Sequence, residues 1–202
     1  ELARKGNPDC RVLMYTIWPD HTEDWEKPPL GRREEWNEIV SDSLSSRFPG
    51  IDVGIIPGSL IIRELGEMAD NGRLPGVINR YMLFSDGAHL SKIGSYGINV
   101  AISSIMYNES PLNYPIQTRA KTGNRDLEHG VSSNENYYDL PDSTAEVIKK
   151  TVWDIITTYE RTGVDVGFLI ATRKLPVAVA GIPYQIQLSS LKSEGTVTWS
   201  IE

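Results

Sequence analysis

Two short runs constrain this chain more than anything else in it: CRVLMYTIW at residues 10–18 and IDVGIIP at residues 51–57. Both are nearly continuous apolar stretches rich in β-branched residues, and each gives way to a proline, Pro19 and Pro57. A strand with one face in water alternates polar and apolar residues, whereas a run apolar on both faces needs cover on both sides, as in a parallel sheet. The segment between the runs begins with the polar, proline-rich loop PDHTEDWEKPPLG and continues as a helix over 32–47. There Trp36, Ile39, Val40, Ser43 and Leu44 recur at helical spacing before Pro49-Gly50 ends the element. A further short helix is expected over 60–69, stopped by Asn71-Gly72. Strand, helix, strand, helix in that order implies right-handed crossovers and an α/β sandwich.

Downstream, residues 91–107 read as a helix with Ile93, Gly97, Val100, Ala101, Ser104 and Ile105 on one face, whose small residues would let it lie close against the sheet. Residues 111–141 are polar, rich in Asn, Ser and Tyr and without clear periodicity, and read as a long loop. A helix then runs to about Arg161. Asp142 or Ser143 is its expected cap, Ser143 and Glu146 form a capping box, and Ala145, Ile148, Val152, Ile155, Ile156 and Tyr159 form the stripe. From Leu175 the texture changes to period-two alternation, in 184–188 and 197–201, which is an antiparallel β pattern. Two or three strands cannot close a sandwich, which takes about seven. At the other end, ELARKGNPDC reads as the last turn of a helix, with Gly6 and Pro8 as its stop. A start at Glu1 fits a processed N-terminus.

Charge narrows the function classes. Lys and Arg number 20 against 27 Asp and Glu, a net charge of -7, and no basic run interrupts the acidic balance, which argues against nucleic-acid and anionic-membrane partners. No stretch approaches the ~18 apolar residues of a membrane span. Cys10 is the sole cysteine, so neither an internal disulfide nor a cysteine-based zinc site can form. Hydrophobic residues at 40% plus 17 glycines suffice for a buried core.

The segment LFSDGAHLSKIGSYG, 83–97, carries the chemistry. Asp86 and His89 stand three apart in a turn directly before a helix. A histidine that takes a proton from a serine needs a carboxylate on its other ring nitrogen, to fix the tautomer and stabilise the imidazolium, and a D-x-x-H turn supplies both. The same spacing also fits a surface turn in which Asp86 merely caps the helix.

With its continuation INVAISSIMYNESP, this segment resembles the last sequence block of the SGNH (GDSL) esterase and lipase superfamily, and IIPGSLIIRELGEMADNGRLPG is similar to the strand and helix leading into that block. The resemblance covers about residues 1–111 and is most specific at 86–97. It implies a flavodoxin-like sheet, with His89 as general base and Asp86 as its orienting partner. The family's G-D-S nucleophile block is missing from these residues, as are G-x-N-D and a G-x-S-x-G elbow. Ser59 follows a strand, but the family places no nucleophile there, and a polar turn or helix cap accounts for it.

Trp18, at the end of the first strand, and His21 and Trp25, in the loop after it, fall where open α/β sheets bind ligands, outside the carboxyl ends of strands. They read either as a pocket wall for a sugar or acyl group or as an aromatic plug. Nothing in the spacing of His21, Asp86 and His89 supports a metal site, His129 reads as a solvated loop residue, and no glycine-rich phosphate loop follows either strand, so neither metal nor cofactor is expected. The tail LPVAVAGIPYQIQL…TWSIE resembles the Ig-like repeats of bacterial surface and secreted proteins, which implies export and attachment at the cell surface.

The expected architecture is therefore α/β: a partial three-layer flavodoxin-like sheet over 1–111, a loop and helical extension over 112–172, and the start of an incomplete Ig-like β-module over 173–202. The expected function is that of part of a serine esterase acting on carboxylic esters, O-acetyl groups on carbohydrate included, and inactive as written because the serine nucleophile block is absent. The alternative is a non-catalytic cell-surface binding or spacer module.

Overall fold

The two apolar runs pair with each other. Strand β1 (Arg11–Tyr15) lies parallel to β2 (Asp52–Ile56), in a register that sets Arg11 opposite Asp52 and Tyr15 opposite Ile56. The Thr16 amide extends the ladder by donating to Ile56 O at 3.0 Å. The computed structural model describes residues 10–18, 33–114 and 140–165 in full and the backbone of 117–119, 137–139, 169–170 and 190–191. These form a mixed α/β chain that is mostly helical, divided into two compact units, Glu1–Val164 and Asp165–Glu202.

The crossover between the strands contains helix α1 (Arg33–Arg47), whose orientation differs from the apolar pattern. Trp36, Ile39 and Val40 are 65%, 58% and 41% exposed, while Glu34 and Ser41 are buried. Polar bonds hold this inverted face in place. The Ser41 hydroxyl donates to Val53 O of β2 at 3.2 Å, the Tyr159 hydroxyl donates to Glu38 Oε1 at 2.8 Å, and Arg161 forms a two-pronged pair with Asp42. Spacing decides which side chains share a helix face, but it leaves open which face turns inward.

The core lies where β2 meets three helices: α2 (Gly58–Asp70), α3 (Lys92–Tyr107) and α4 (Asp142–Thr158). Ile55 of β2, Ile61, Ile62 and Leu65 of α2, Ala101 and Ile105 of α3, and Ile148, Val152 and Ile156 of α4 are all essentially solvent-free. Burying each large aliphatic side chain is worth about 1.5–3 kcal/mol. The small-residue face expected to lie against the sheet packs instead against the neighbouring helices: a Cβ at Gly97 would lie 2.9 Å from Leu65 Cδ1 of α2 and 3.5 Å from Ile148 Cγ2 of α4.

The cap of helix α4 lies one residue before Asp142 and two before Ser143, the two predicted caps. Pro141 occupies the N-cap, no side chain caps the helix, and Asp142 and Ser143 lie inside its first turn. The helix ends at Thr158. A 3-10 turn over Glu160–Thr162 follows, and Gly163, at φ 64°, makes the stop. Lys149 interrupts the apolar stripe yet is buried, because its ammonium donates to Leu112 O at 2.9 Å and Tyr114 O at 3.2 Å. Those carbonyls lie in and just after a 3-10 turn, Pro111–Asn113, where the sequence predicts only loop. Within the same expected loop, β3 (Gln117–Arg119) pairs antiparallel with β4 (Tyr137–Asp139).

In the second unit β5 (Leu169–Ile170) pairs antiparallel with β6 (Ser190–Leu191). The helix end expected at 1–9 and the strands expected at 184–188 and 197–201 lie outside the described residues. Among the described residues no helix is long and apolar enough to cross a membrane.

Candidate active site

Asp86 and His89 occupy a turn built between two helical elements. Upstream, Asn79 caps a 3-10 turn, Arg80–Leu83, by accepting from the Tyr81 amide at 3.1 Å. Asp70, at the end of α2, grips Arg80 through its backbone amide and its guanidinium. Downstream, Ser91 caps α3, accepting from the Gly94 amide at 3.4 Å while its hydroxyl donates to Met82 O at 2.7 Å. Between them Phe84 and Leu90 form an isolated antiparallel bridge. Ser85 N donates to His89 O at 2.8 Å and Ser91 N to Leu83 O at 2.9 Å. The loop SDGAH is thus pinched at its base.

Inside the pinch the chain folds around the Asp86 carboxylate. Oδ1 accepts from the Ala88 amide at 2.9 Å and the His89 amide at 2.7 Å, an arrangement aspartate forms readily because its side chain reaches the backbone two and three residues on. The imidazole meets the same carboxylate, with Nδ1 2.8 Å from Oδ2 and 3.0 Å from Oδ1. The backbone amide of His89, then that of Ala88, then the His89 ring hold the Asp86 carboxyl well below the usual carboxylate range. Asp86 is therefore an anion at neutral pH, so Nδ1 is the ring nitrogen that donates to it. The His89 side chain is 70% exposed, so the imidazole is reachable by a reactant from solvent.

Trp18 stands at this turn. Its indole N–H donates to Ala88 O at 2.7 Å, and its ring meets that of Tyr15 edge-on, with centroids 5.9 Å apart. Arg33 Nη1 in turn donates to the carbonyls of Ile17, at 3.0 Å, and Trp18, at 2.8 Å. The D-x-x-H turn and the segment that follows β1 are thereby joined, a link that neither the pocket-wall nor the plug reading of Trp18 foresaw. His21, Trp25 and His129 lie outside the described residues.

Ser59 is buried in the first turn of α2, with its amide facing Thr16 Oγ1 at 3.5 Å. The next amide, Leu60 N, donates to Glu34 Oε1 at 3.0 Å, so a carboxylate from α1 sits at the positive end of α2. Glu34 is a polar anchor that sequence reading missed. The acidic pair Glu34-Glu35 was visible in the first turn of α1, but its service to another helix was not. Burial makes Ser59 a structural residue. The hydroxyls of Ser85 and Ser91 donate to the carbonyls of His89 and Met82.

The arrangement can orient an imidazole, hold it in one tautomer and stabilise its protonated form, which are the tasks of a base and its orienting carboxylate. Among the described residues no three His, Cys, Asp or Glu side chains converge to hold a metal ion. Comparison with family models, with curated proteins and with solved structures finds no match to this chain.

Proposed function

We propose that Asp86 and His89 are the orienting acid and general base of an SGNH-type ester hydrolase, whose serine belongs to polypeptide other than these 202 residues. One observation carries the reading: an ionised carboxylate, locked by two backbone amides, holds Nδ1 of an imidazole that is otherwise largely exposed. The alternative role of Asp86 as the helix cap falls away, because Ser91 caps α3. In the proposed reaction His89 takes the serine proton as the hydroxyl attacks the ester carbonyl, then returns it to the departing alkoxide, while Asp86 stabilises the imidazolium between the two steps. The substrate class we propose is a carboxylic ester, O-acetylated carbohydrate included, and the setting a bacterial cell surface reached through an Ig-like tail over 173–202. The resemblance at 86–97 and the β texture of the tail support both.

The second reading is a non-catalytic binding or spacer module. What favours it is the outward apolar face of α1, with Trp36 and Ile39 more than half exposed.

Reading the coding region upstream of Glu1 separates the two. A G-D-S block within a further half-domain supports the hydrolase, and its absence there sinks it. In the assay counterpart, the 202-residue chain shows no burst with p-nitrophenyl acetate. The polypeptide extended through the serine block shows one, and His89→Ala lowers its rate by several orders of magnitude.

A further inference from the structure

We infer that Trp18 is a positioning residue for the Asp86–His89 turn and that Arg33 acts through it. The bonds within the turn, from the Asp86 carboxylate to the amides of Ala88 and His89 and across the Phe84–Leu90 bridge, set its shape. They do not set its position relative to the sheet, because a loop closed on itself can still tilt as a body. Position requires a bond to another element, and the indole of Trp18 makes one with Ala88 O across 70 residues of sequence. The accepting residue is well placed for this role, since the amide of Ala88 donates to Asp86 Oδ1 at 2.9 Å. The indole therefore grips the peptide segment that grips the carboxylate.

Trp18 is itself held. Arg33, at the first turn of α1, clamps the carbonyls of Ile17 and Trp18, and the Tyr15 ring packs against the indole. A path of direct contacts runs from the start of α1, through the end of β1, into the turn. Trp suits it because the indole nitrogen only donates and the ring is rigid, so a bond once placed is held with little loss of side-chain freedom. This gives Trp18 a task that neither a pocket wall nor an aromatic plug performs. The placement is a property of the fold; that it serves a general base rests on the hydrolase reading above.

Hydrogen exchange by NMR on the full 202-residue chain tests the inference, with the indole of Trp36, 65% exposed, as internal reference. The Trp18 indole N–H should exchange about 10-fold or more slower than that of Trp36. Trp18→Phe keeps an aromatic ring beside Tyr15, though a smaller one, and removes the donor. Exchange at the amides of Ala88 and His89 should rise about five-fold, the opening expected when one net hydrogen bond is lost. The His89 ring should keep its nitrogen-shift signature of a protonated Nδ1, because the contact with Asp86 is internal to the turn. Arg33→Met should raise exchange at the same two amides by a smaller factor and add nothing in the Trp18→Phe background, since both changes act on one link.

Equal exchange of the two indoles would overturn the inference, as would unchanged amides in Trp18→Phe or additive effects of the two substitutions. Equal exchange of the wild-type indoles overturns it even if the variant folds poorly. A slow Trp18 indole together with faster Ala88 and His89 amides in Trp18→Phe, in a protein whose gene has no G-D-S block, would uphold the positioning role while removing the hydrolase reading.

Discussion

Gly94→Ala is the sharpest test of how the candidate site is assembled. Gly94 is the third residue of α3, and in an unstrained helix the change to alanine stabilises by about 0.8–1.0 kcal/mol. Here an added Cβ would lie well under 3.0 Å from the carbonyl oxygen of Leu83, a backbone atom that cannot rotate aside. That carbonyl accepts the Ser91 amide at 2.9 Å, the bond that closes the D-x-x-H turn at its base. Relief requires α3 and the turn to move apart. Overpacking of this kind costs about 1–3 kcal/mol, and the lost hydrogen bond adds about 1 kcal/mol. Set against the helix gain, the net destabilisation is about 1–3 kcal/mol, or roughly 2–4 °C in Tm per kcal/mol for a unit of this size.

Urea unfolding followed by far-UV circular dichroism measures this as a lower midpoint at unchanged slope. Gly97→Ala is the control. Its nearest contact, Leu65 Cδ1 at 2.9 Å, is the tip of a flexible side chain, so the helix gain and the packing cost offset each other to within about 1 kcal/mol. A Gly94→Ala protein as stable as wild type, or one less damaged than Gly97→Ala, would refute the argument that the close approach of α3 to Leu83 O closes the base of the turn.

Lys149→Met removes the cation that satisfies Leu112 O and Tyr114 O and leaves both carbonyls short of a donor. A loss of about 1–3 kcal/mol is expected from urea midpoints, and an unchanged midpoint would show that water replaces the ammonium at no cost. Asp86 supplies a pH test. Its folded-state pKa is depressed, so its contribution to stability is fully present above the ordinary carboxylate pKa of about 4 and is lost only as pH falls further, through the folded value. At pH 4 the carbonyl carbon shift of the Asp86 side chain should still report an ionised group. Half-protonation at that pH would mean that the amides of Ala88 and His89 do not hold it.

Much of the fold was legible in local pattern. The helices expected over 60–69 and 91–107 form as Gly58–Asp70 and Lys92–Tyr107, because apolar period and stop residues such as Asn71-Gly72 act within a few residues of where they stand. The Asp86–His89 contact was legible for the same reason, as a carboxylate reaches a ring three residues on without help from the rest of the chain. The failures share the opposite cause. The burial of Lys149 depends on two carbonyls 35 and 37 residues away. Ser143 could have capped α4 by local rules, but Pro141 takes the cap, and the neighbouring Thr144 hydroxyl donates to Pro75 O at 2.6 Å.

By itself the sequence determined that strands form within the runs at 10–18 and 51–57, that helices follow them, and that an acid and an imidazole share one turn, since these outcomes depend on backbone geometry and side-chain reach within single elements. The parallel pairing of Arg11–Tyr15 with Asp52–Ile56, and the exposure of Val12 and Tyr15 where an apolar run implied cover on both faces, are tertiary outcomes. Only the tertiary structure decided that α1 turns its polar face inward, that Glu34 serves the amino end of α2, and that Trp18 is fastened to Ala88. Each of these is a polar bond between distant elements. Its partner is chosen by where folding brings a free amide or carbonyl, which no periodicity records.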